Sequence, residues 1–340
     1  MYSLIWRSYI PAIARDHGFH EVRITRVIDE TPDTRTYVLD APFSYRAGQF
    51  VTFRVRGTLR SYSMSSCPAT DAELMTTVKR VPGGLVSNWM LDNLAAGDVV
   101  EVTLPAGVFC LRETGAPLVA FAAGSGITPV LSLAKNALAT TDRRVRVLTA
   151  NRDASSVIFR DALAALAARY PGRLEVRHHL DTDGGFVTAA AVRGFAGGEA
   201  GADFYLCGPA PFMDLVERAL LDHGVGAGQI LTERFAVAAV PGPGTAPGAS
   251  GTITIVLYGE RRQVPRHPGE TLLESARRAG MSPPFSCEAG NCATCIAHVT
   301  EGEIKMRANN ALDDDEIADG WVLTCQSEPV TTDVTVVYDD

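Results

Sequence analysis

No run of apolar residues in this 340-residue sequence approaches the roughly 18 that a membrane-spanning helix needs. The opening segment MYSLIWRSYIPAIARDHGFH begins apolar, but Arg7 and Arg15 interrupt it, so it forms no secretory h-region. The expectation is a cytoplasmic chain with no membrane span, in which residues 1–17 form an N-terminal extension. A basic excess is also missing. Lys and Arg number 31 against 39 Asp and Glu, a net charge of −8. From Ser250 onward there are 7 basic and 15 acidic residues, so the last quarter carries the whole excess and the first 249 residues sum to zero. That balance disfavours nucleic acid as a partner. Cysteine is scarce too, at seven residues. In a chain without a signal segment, this argues against a disulfide framework and toward metal binding or chemistry.

What is present divides the chain. The segment AVAAVPGPGTAPGASG, residues 236–251, holds three prolines and four glycines and reads as a linker. As a flexible coil it spans roughly 20–25 Å. Before it, residues 18–112 carry short β-type runs (HEVRITRVI, TRTYVLD, QFVTFRV, ELMTTVKRV, DVVEVTL) at the spacing of a barrel. Residues 113–235 then alternate strands with helices, which implies a parallel sheet open to a ligand at its carboxyl edge. Residues 252–340 form a third unit.

Three motifs in the first two units point to nucleotide chemistry. After the strand LVAFAA comes GSGITP, where Gly124 and Gly126 permit a tight turn and close approach of a phosphate. Thr128 is expected to cap the following helix and Pro129 to occupy its first position. By itself this turn is common in α/β proteins, and it lacks the third glycine and the acidic residue of the dinucleotide fingerprint. A later strand ends in Cys207-Gly208-Pro209 at the same sheet edge, with Met213 in the helix that follows. Upstream, Arg60, Tyr62 and Ser63 place a cation, a ring and a hydroxyl along one strand, and VKRVPGGLVSNWM leads through Gly83-Gly84 into a second helix start.

In this order, RSYS, GGLVSNW, GSGITP, CGPAPFM and ERF resemble the ferredoxin–NADP reductase superfamily over about residues 18–236. The resemblance implies a Greek-key β-barrel flavin domain followed by an α/β parallel-sheet nicotinamide domain. It also implies roles. Arg60 would neutralise a flavin phosphate, Tyr62 would stack on the isoalloxazine, and Ser63 would approach N5. Gly84, Val86 and Ser87 would hold the pyrophosphate. Gly126, Thr128, Cys207, Gly208 and Pro209 would line the nicotinamide pocket, with Phe235 near the flavin edge. Lys79, Gly124, Asn151, Arg152 and Met213 complete the cofactor-binding set. Ser63, Cys207 and Phe235 are the catalytic candidates.

The remaining cysteines carry the strongest signal. CEAGNCATC supplies Cys287, Cys292 and Cys295, and Cys325 follows after 29 intervening residues. That spacing matches the plant-type [2Fe–2S] pattern. Zinc, which four cysteines could bind tetrahedrally, is the competing reading, but structural zinc usually uses two short knuckles rather than three clustered thiolates and one alone. The flanks TITIVLYGERRQVPRHPGETLLESARRAG and VLTCQSEP resemble a ferredoxin, which implies an α+β, β-grasp-like domain. Two departures stand out: Glu288 follows the first cysteine where Arg is common, and Ala293 stands where Gly is frequent.

The flavin–nicotinamide–ferredoxin order resembles oxygenase reductases, with steroid 9α-hydroxylase reductases the nearer group and phenylacetyl-CoA epoxidase reductases the other. It implies FAD, NADH and a [2Fe-2S] cluster. It also implies a terminal oxygenase partner of Rieske type, with a di-iron oxygenase as the alternative, and steroid breakdown as the setting. FAD is favoured over FMN because GGLVSNW offers a second phosphate site. For the nicotinamide, Asp153 would repel a 2′-phosphate whereas Arg152, Ser155 and Ser156 could hold one. The acidic ferredoxin face, including Asp313, Asp314, Asp315 and Glu316, is the candidate docking surface. Other readings are a diaphorase serving small acceptors and a flavin-binding protein with a zinc-stapled interaction module.

Overall fold

The structure is a computed structural model describing residues 19–56, 58–199, 201–235, 251–281, 283–285, 290, 293–309, 311–312 and 314–338. The extension, the linker up to residue 250, Cys287, Glu288, Cys292 and Asp313 lie outside the described residues.

The first unit is built from six antiparallel strands: β1 (His20–Thr31), β2 (Thr34–Asp40), β3 (Phe50–Val55), β4 (Thr58–Ser63), β5 (Leu74–Lys79) and β6 (Val99–Val102). Their order is β4-β3-β6-β1-β2-β5, and a bridge between Met64 and Thr76 brings the two edges together. Alternation fills the interior with Ile24, Tyr37, Val51, Phe53 and Val102, all fully buried. Helix α1 (Leu85–Asn93) adds Val86, Met90 and Leu91 to that core. Ahead of it, Val81-Pro82-Gly83-Gly84 forms a tight turn: Gly84 N–H donates to Val81 O at 2.9 Å, and Gly83 takes φ +72°.

The second unit is a five-stranded parallel sheet of β7 (Leu118–Ala123), β8 (Val145–Asn151), β9 (Leu174–Leu180), β10 (Asp203–Cys207) and β11 (Ile230–Glu233). Its order, β11-β10-β7-β8-β9, reverses between β7 and β10 and so opens a crevice at their carboxyl ends. Helices α2 (Ile127–Thr140), α3 (Arg160–Arg169), the single turn α4 (Asp181–Gly184), α5 (Ala189–Ala196) and α6 (Ala210–Asp222) connect the strands. Helix α2 is buried almost all round, from Ile127 through Ala134. It lies between the sheet and the barrel: Ser132 Oγ donates to Ser66 O at 2.5 Å, and Lys135 Nζ pairs with Asp71 at 2.9 Å.

The third unit has the sheet order β13-β12-β18-β14-β16, from β12 (Thr252–Leu257), β13 (Glu260–Pro265), β14 (Ile296–Glu301), β16 (Trp321–Leu323) and β18 (Asp333–Tyr338). β12 and β18 run parallel at its centre. A two-stranded ribbon of β15 (Ile304–Met306) and β17 (Ser327–Pro329) flanks it. Helix α7 (Leu272–Arg278) packs on the sheet, its start closed by a reciprocal Thr271–Glu274 capping box, and α8 (Asp314–Ala318) is a short acidic turn. Barrel, parallel sheet and β-grasp-like module agree with the expected architecture. Among the described residues no helix is long and apolar enough to cross a membrane.

Candidate functional site

The start of α2 and the ends of β10 and β11 meet at the crevice, and Lys79 at the end of β5 reaches its edge. The turn Gly124–Gly126 is a single 3-10 turn that feeds α2 directly, so the helix begins at Ile127. Thr128 is therefore its second residue and not its cap, and Pro129 its third. The correction has a steric cause. A Cβ at Gly126 would lie 2.1 Å from Cys207 O, so the turn is pressed against the end of β10 and winds before Thr128 is reached. Neither α1 nor α2 has a side-chain cap, which leaves their first N–H groups available to an anion. Thr128 Oγ1 is buried without a partner among the described residues. An unsatisfied buried hydroxyl at this edge fits a polar ligand group.

Along β4, Arg60 is exposed and Tyr62 half-buried, its ring 5.8 Å edge-on from Phe53. Burial pushes the Tyr62 hydroxyl well above its ordinary range. At the end of the strand, buried Ser63 donates from Oγ to Glu233 Oε2 at 2.9 Å, joining the barrel to the last strand of the parallel sheet. Glu233 is half-buried in the crevice. Its carboxyl is pushed up to about 8 by burial, with the Ser63 hydroxyl pulling the other way. Next to it, fully buried Cys207 has its thiol pushed well up, first by burial and then by Glu233 once that carboxyl ionises. Both groups therefore carry protons at neutral pH. Phe235 lies two residues beyond Glu233 and is 44% exposed.

The other candidates are spread around this edge. Lys79 ends β5, and its Nζ lies 3.7 Å from the point a Cβ on Gly124 would occupy. Asn151 ends β8, nearly buried, with Nδ2 donating to Thr149 Oγ1 at 3.3 Å. Arg152 follows it and pairs with Asp33 of the barrel at 3.4 Å. Val86 and Met213 have buried side chains in the two hydrophobic cores, so only their backbone could meet a ligand. Ser87 Oγ accepts from Val81 N–H at 3.3 Å and closes the turn before α1. Glu233 was missed by sequence reasoning. It stands inside the ERF motif, but nothing local marks it, because its partner is 170 residues away.

At the opposite end of the chain, Cys295 and Cys325 are buried, and neither forms a disulfide among the described residues. Their segments are joined by Thr324, whose N–H and Oγ1 both donate to Cys295 O, at 3.1 and 2.8 Å. Gln326 Nε2 approaches Cys325 Sγ at 3.8 Å, which aims an amide donor at the sulfur. Gly290 takes φ +76°, and a Cβ there would meet Ala308 O at 2.7 Å, so the cysteine loop requires glycine at that point. Two buried thiols, an N–H donor and a close-packed loop fit an iron–sulfur cluster.

Comparisons agree with this geometry. Residues 21–110 match the family model of the oxidoreductase FAD-binding domain, residues 121–218 that of the oxidoreductase NAD-binding domain, and residues 255–330 that of the 2Fe-2S iron–sulfur cluster binding domain. The protein is thus an electron-transfer oxidoreductase with FAD, NAD and [2Fe-2S] domains in one chain. It is 37% identical to the ferredoxin reductase component of the 3-ketosteroid-9-alpha-monooxygenase of Rhodococcus rhodochrous, over 95% of this chain and 98% of that one. A component of the 1,2-phenylacetyl-CoA epoxidase of Escherichia coli is 32% identical over 94% and 98%. The solved phthalate dioxygenase reductase superposes with a TM-score of 0.61 at 26% identity, covering 94% of this chain and 98% of its own. The chain belongs to this family of oxygenase reductases.

Proposed function

We propose that the protein is the NADH-dependent reductase of a Rieske-type oxygenase, and that the oxygenase is a steroid 9α-hydroxylase. The single observation that carries the pathway is the end-to-end likeness to a steroid monooxygenase reductase, at 37% identity. The lower likeness to the epoxidase component makes a di-iron oxygenase the second reading.

The placement of these residues supports the following roles. Bound flavin would take a hydride from NADH and release the two electrons singly to the cluster, so the protein's task is to position, shield and protonate. Arg60 would face the flavin phosphate, Tyr62 would offer its ring to the isoalloxazine, and the start of α1 from Gly84 to Ser87 would receive the pyrophosphate. The start of α2 and Cys207-Gly208-Pro209 would seat the dinucleotide. Ser63 and Glu233 would hold a proton at the crevice. Phe235, half-exposed at the flavin side, would cover the ring until nicotinamide displaces it. Cys287, Cys292, Cys295 and Cys325 would hold the cluster. The division places the flavin unit at 18–112, the nicotinamide unit at 113–235 and the ferredoxin unit at 252–340, with 236–251 as tether.

The test is reconstitution with purified oxygenases. With NADH, the protein should support 9α-hydroxylation of a 3-ketosteroid by a Rieske-type oxygenase. Support of a phenylacetyl-CoA epoxidase in its place would reverse the order of the two readings.

A further inference from the structure

Asp33 sits in the turn between β1 and β2 of the barrel, yet its carboxylate faces the nicotinamide unit. Oδ1 accepts from the hydroxyls of Thr31 at 2.8 Å and Thr34 at 3.1 Å, which fixes the group. Oδ2 then lies 3.8 Å from Lys79 Nζ and 3.4 Å from Arg152 Nη2. Backbone bonding holds the same corner, with Arg80 N–H donating to Asp33 O at 2.7 Å. Lys79 stands over Gly124, the first residue of the turn into α2. Arg152 follows β8, the neighbour of β7, at the carboxyl edge of the sheet. The two cations flank the crevice from opposite units, and one carboxylate oxygen lies within ion-pair distance of both.

A carboxylate oxygen and a phosphate oxygen offer an ammonium or a guanidinium the same acceptor chemistry. A dinucleotide phosphate entering between α2 and β8 meets these cations already engaged. The pattern repeats beside Arg152. Ser155 Oγ donates to Asp153 Oδ1 at 2.7 Å, Ser156 N–H to the same oxygen at 3.0 Å, and Ser156 Oγ to Asp153 O at 2.8 Å. The residues able to hold a 2′-phosphate are thus committed to acidic residues of the chain itself. Burial acts to raise the Asp33 pKa, but the Thr31 hydroxyl, Lys79, Thr34 and Arg152 outweigh it, so the carboxylate stays ionised at neutral pH.

We propose that Asp33 is a built-in phosphate substitute, holding Lys79 and Arg152 until the dinucleotide's phosphates displace it, and that it thereby sets dinucleotide affinity and disfavours the 2′-phosphorylated form. The inference rests on the crevice being the dinucleotide site.

The test is calorimetric titration of the oxidised, flavin-loaded full-length protein with NAD⁺ and with NADP⁺ at low salt. Asp33→Asn keeps an oxygen for Thr31 and Thr34 and replaces the charged acceptor facing Lys79 and Arg152 with a neutral amide nitrogen. It should tighten NAD⁺ binding about threefold and NADP⁺ binding about tenfold, with both gains shrinking as salt rises. Arg152→Gln, at a side chain 71% exposed, removes one of the two exchanged cations without touching the core. In that background Asp33→Asn should recover much less of the NADP⁺ gain. Unchanged or weaker binding in Asp33→Asn overturns the proposal, and weaker binding would make Asp33 an aligner of Lys79. Failure of the unaltered protein to bind either dinucleotide is a separate result, which overturns the reading of the crevice itself.

Discussion

At the scale of single residues, the crevice is organised by groups whose protonation differs from that of the free side chain. Glu233 is the clearest. With its carboxyl pushed up to about 8, it binds a proton between the ordinary carboxylate range and pH 8 that the unfolded chain has lost. The folded state therefore holds more protons in that window, and the group's contribution to stability falls as pH rises through it. As the acid that shares a proton with Ser63, Glu233 should give NADH-driven flavin reduction an alkaline limb near pH 8. Glu233→Gln should remove that limb, as read in the pH profile of stopped-flow reduction. Ala293 is the second informative residue. It takes φ +51° next to the cysteine loop, a left-handed conformation that costs a residue with a Cβ about 1–2 kcal/mol. Ala293→Gly should slow cluster loss on heating and stabilise the ferredoxin unit by about 1 kcal/mol, measured by thermal bleaching of the loaded protein. The sequence showed Ala293 as a departure from the ferredoxin pattern. Only the backbone angle shows why glycine would suit the site.

At the scale of elements, legibility followed the range of the interaction. The alternating strands and the GxG turn are written in neighbouring residues, and the described strands formed where the pattern placed them. The start of α2 came two residues earlier than a Thr128 cap implies, because Gly126 packs against Cys207, which lies far along the chain. The short strand β11 and its terminal Glu233 carry no periodic signal at all. The same holds for the knot at the opposite edge of the parallel sheet. There, Asp203, almost fully buried, pairs with Arg143 at 2.6 Å and Arg112 at 2.9 Å, while Arg143 also donates to Ala116 O and, at 3.0 Å, to Arg112 O. These bonds pin the segment leaving the barrel to the base of the nicotinamide sheet. Asp203→Ala would leave the Arg143 guanidinium buried without its carboxylate, at a cost of about 3–5 kcal/mol in chemical denaturation. Arg112→Ala, at the exposed end of the knot, should cost less.

At the scale of the whole molecule, charge and connectivity carry the account. A neutral flavin–nicotinamide body is followed by a ferredoxin unit bearing the entire net charge of −8. If that unit meets the oxygenase through its acidic side chains, electron delivery to the oxygenase should fall steeply as salt is raised. Reduction of the protein's own flavin by NADH should hardly change. Paired stopped-flow traces at low and high ionic strength would show the separation.

The central claim is that one chain takes a hydride at the crevice and exports single electrons through the four cysteines. An anaerobic titration with NADH, followed by visible absorbance and by EPR, tests it most directly. Flavin bleaching together with a rhombic signal from a reduced [2Fe-2S] centre is expected, with loss of that signal in Cys295→Ser while the flavin still bleaches. Flavin bleaching with no iron signal, and zinc in the metal analysis of the unaltered protein, would contradict it.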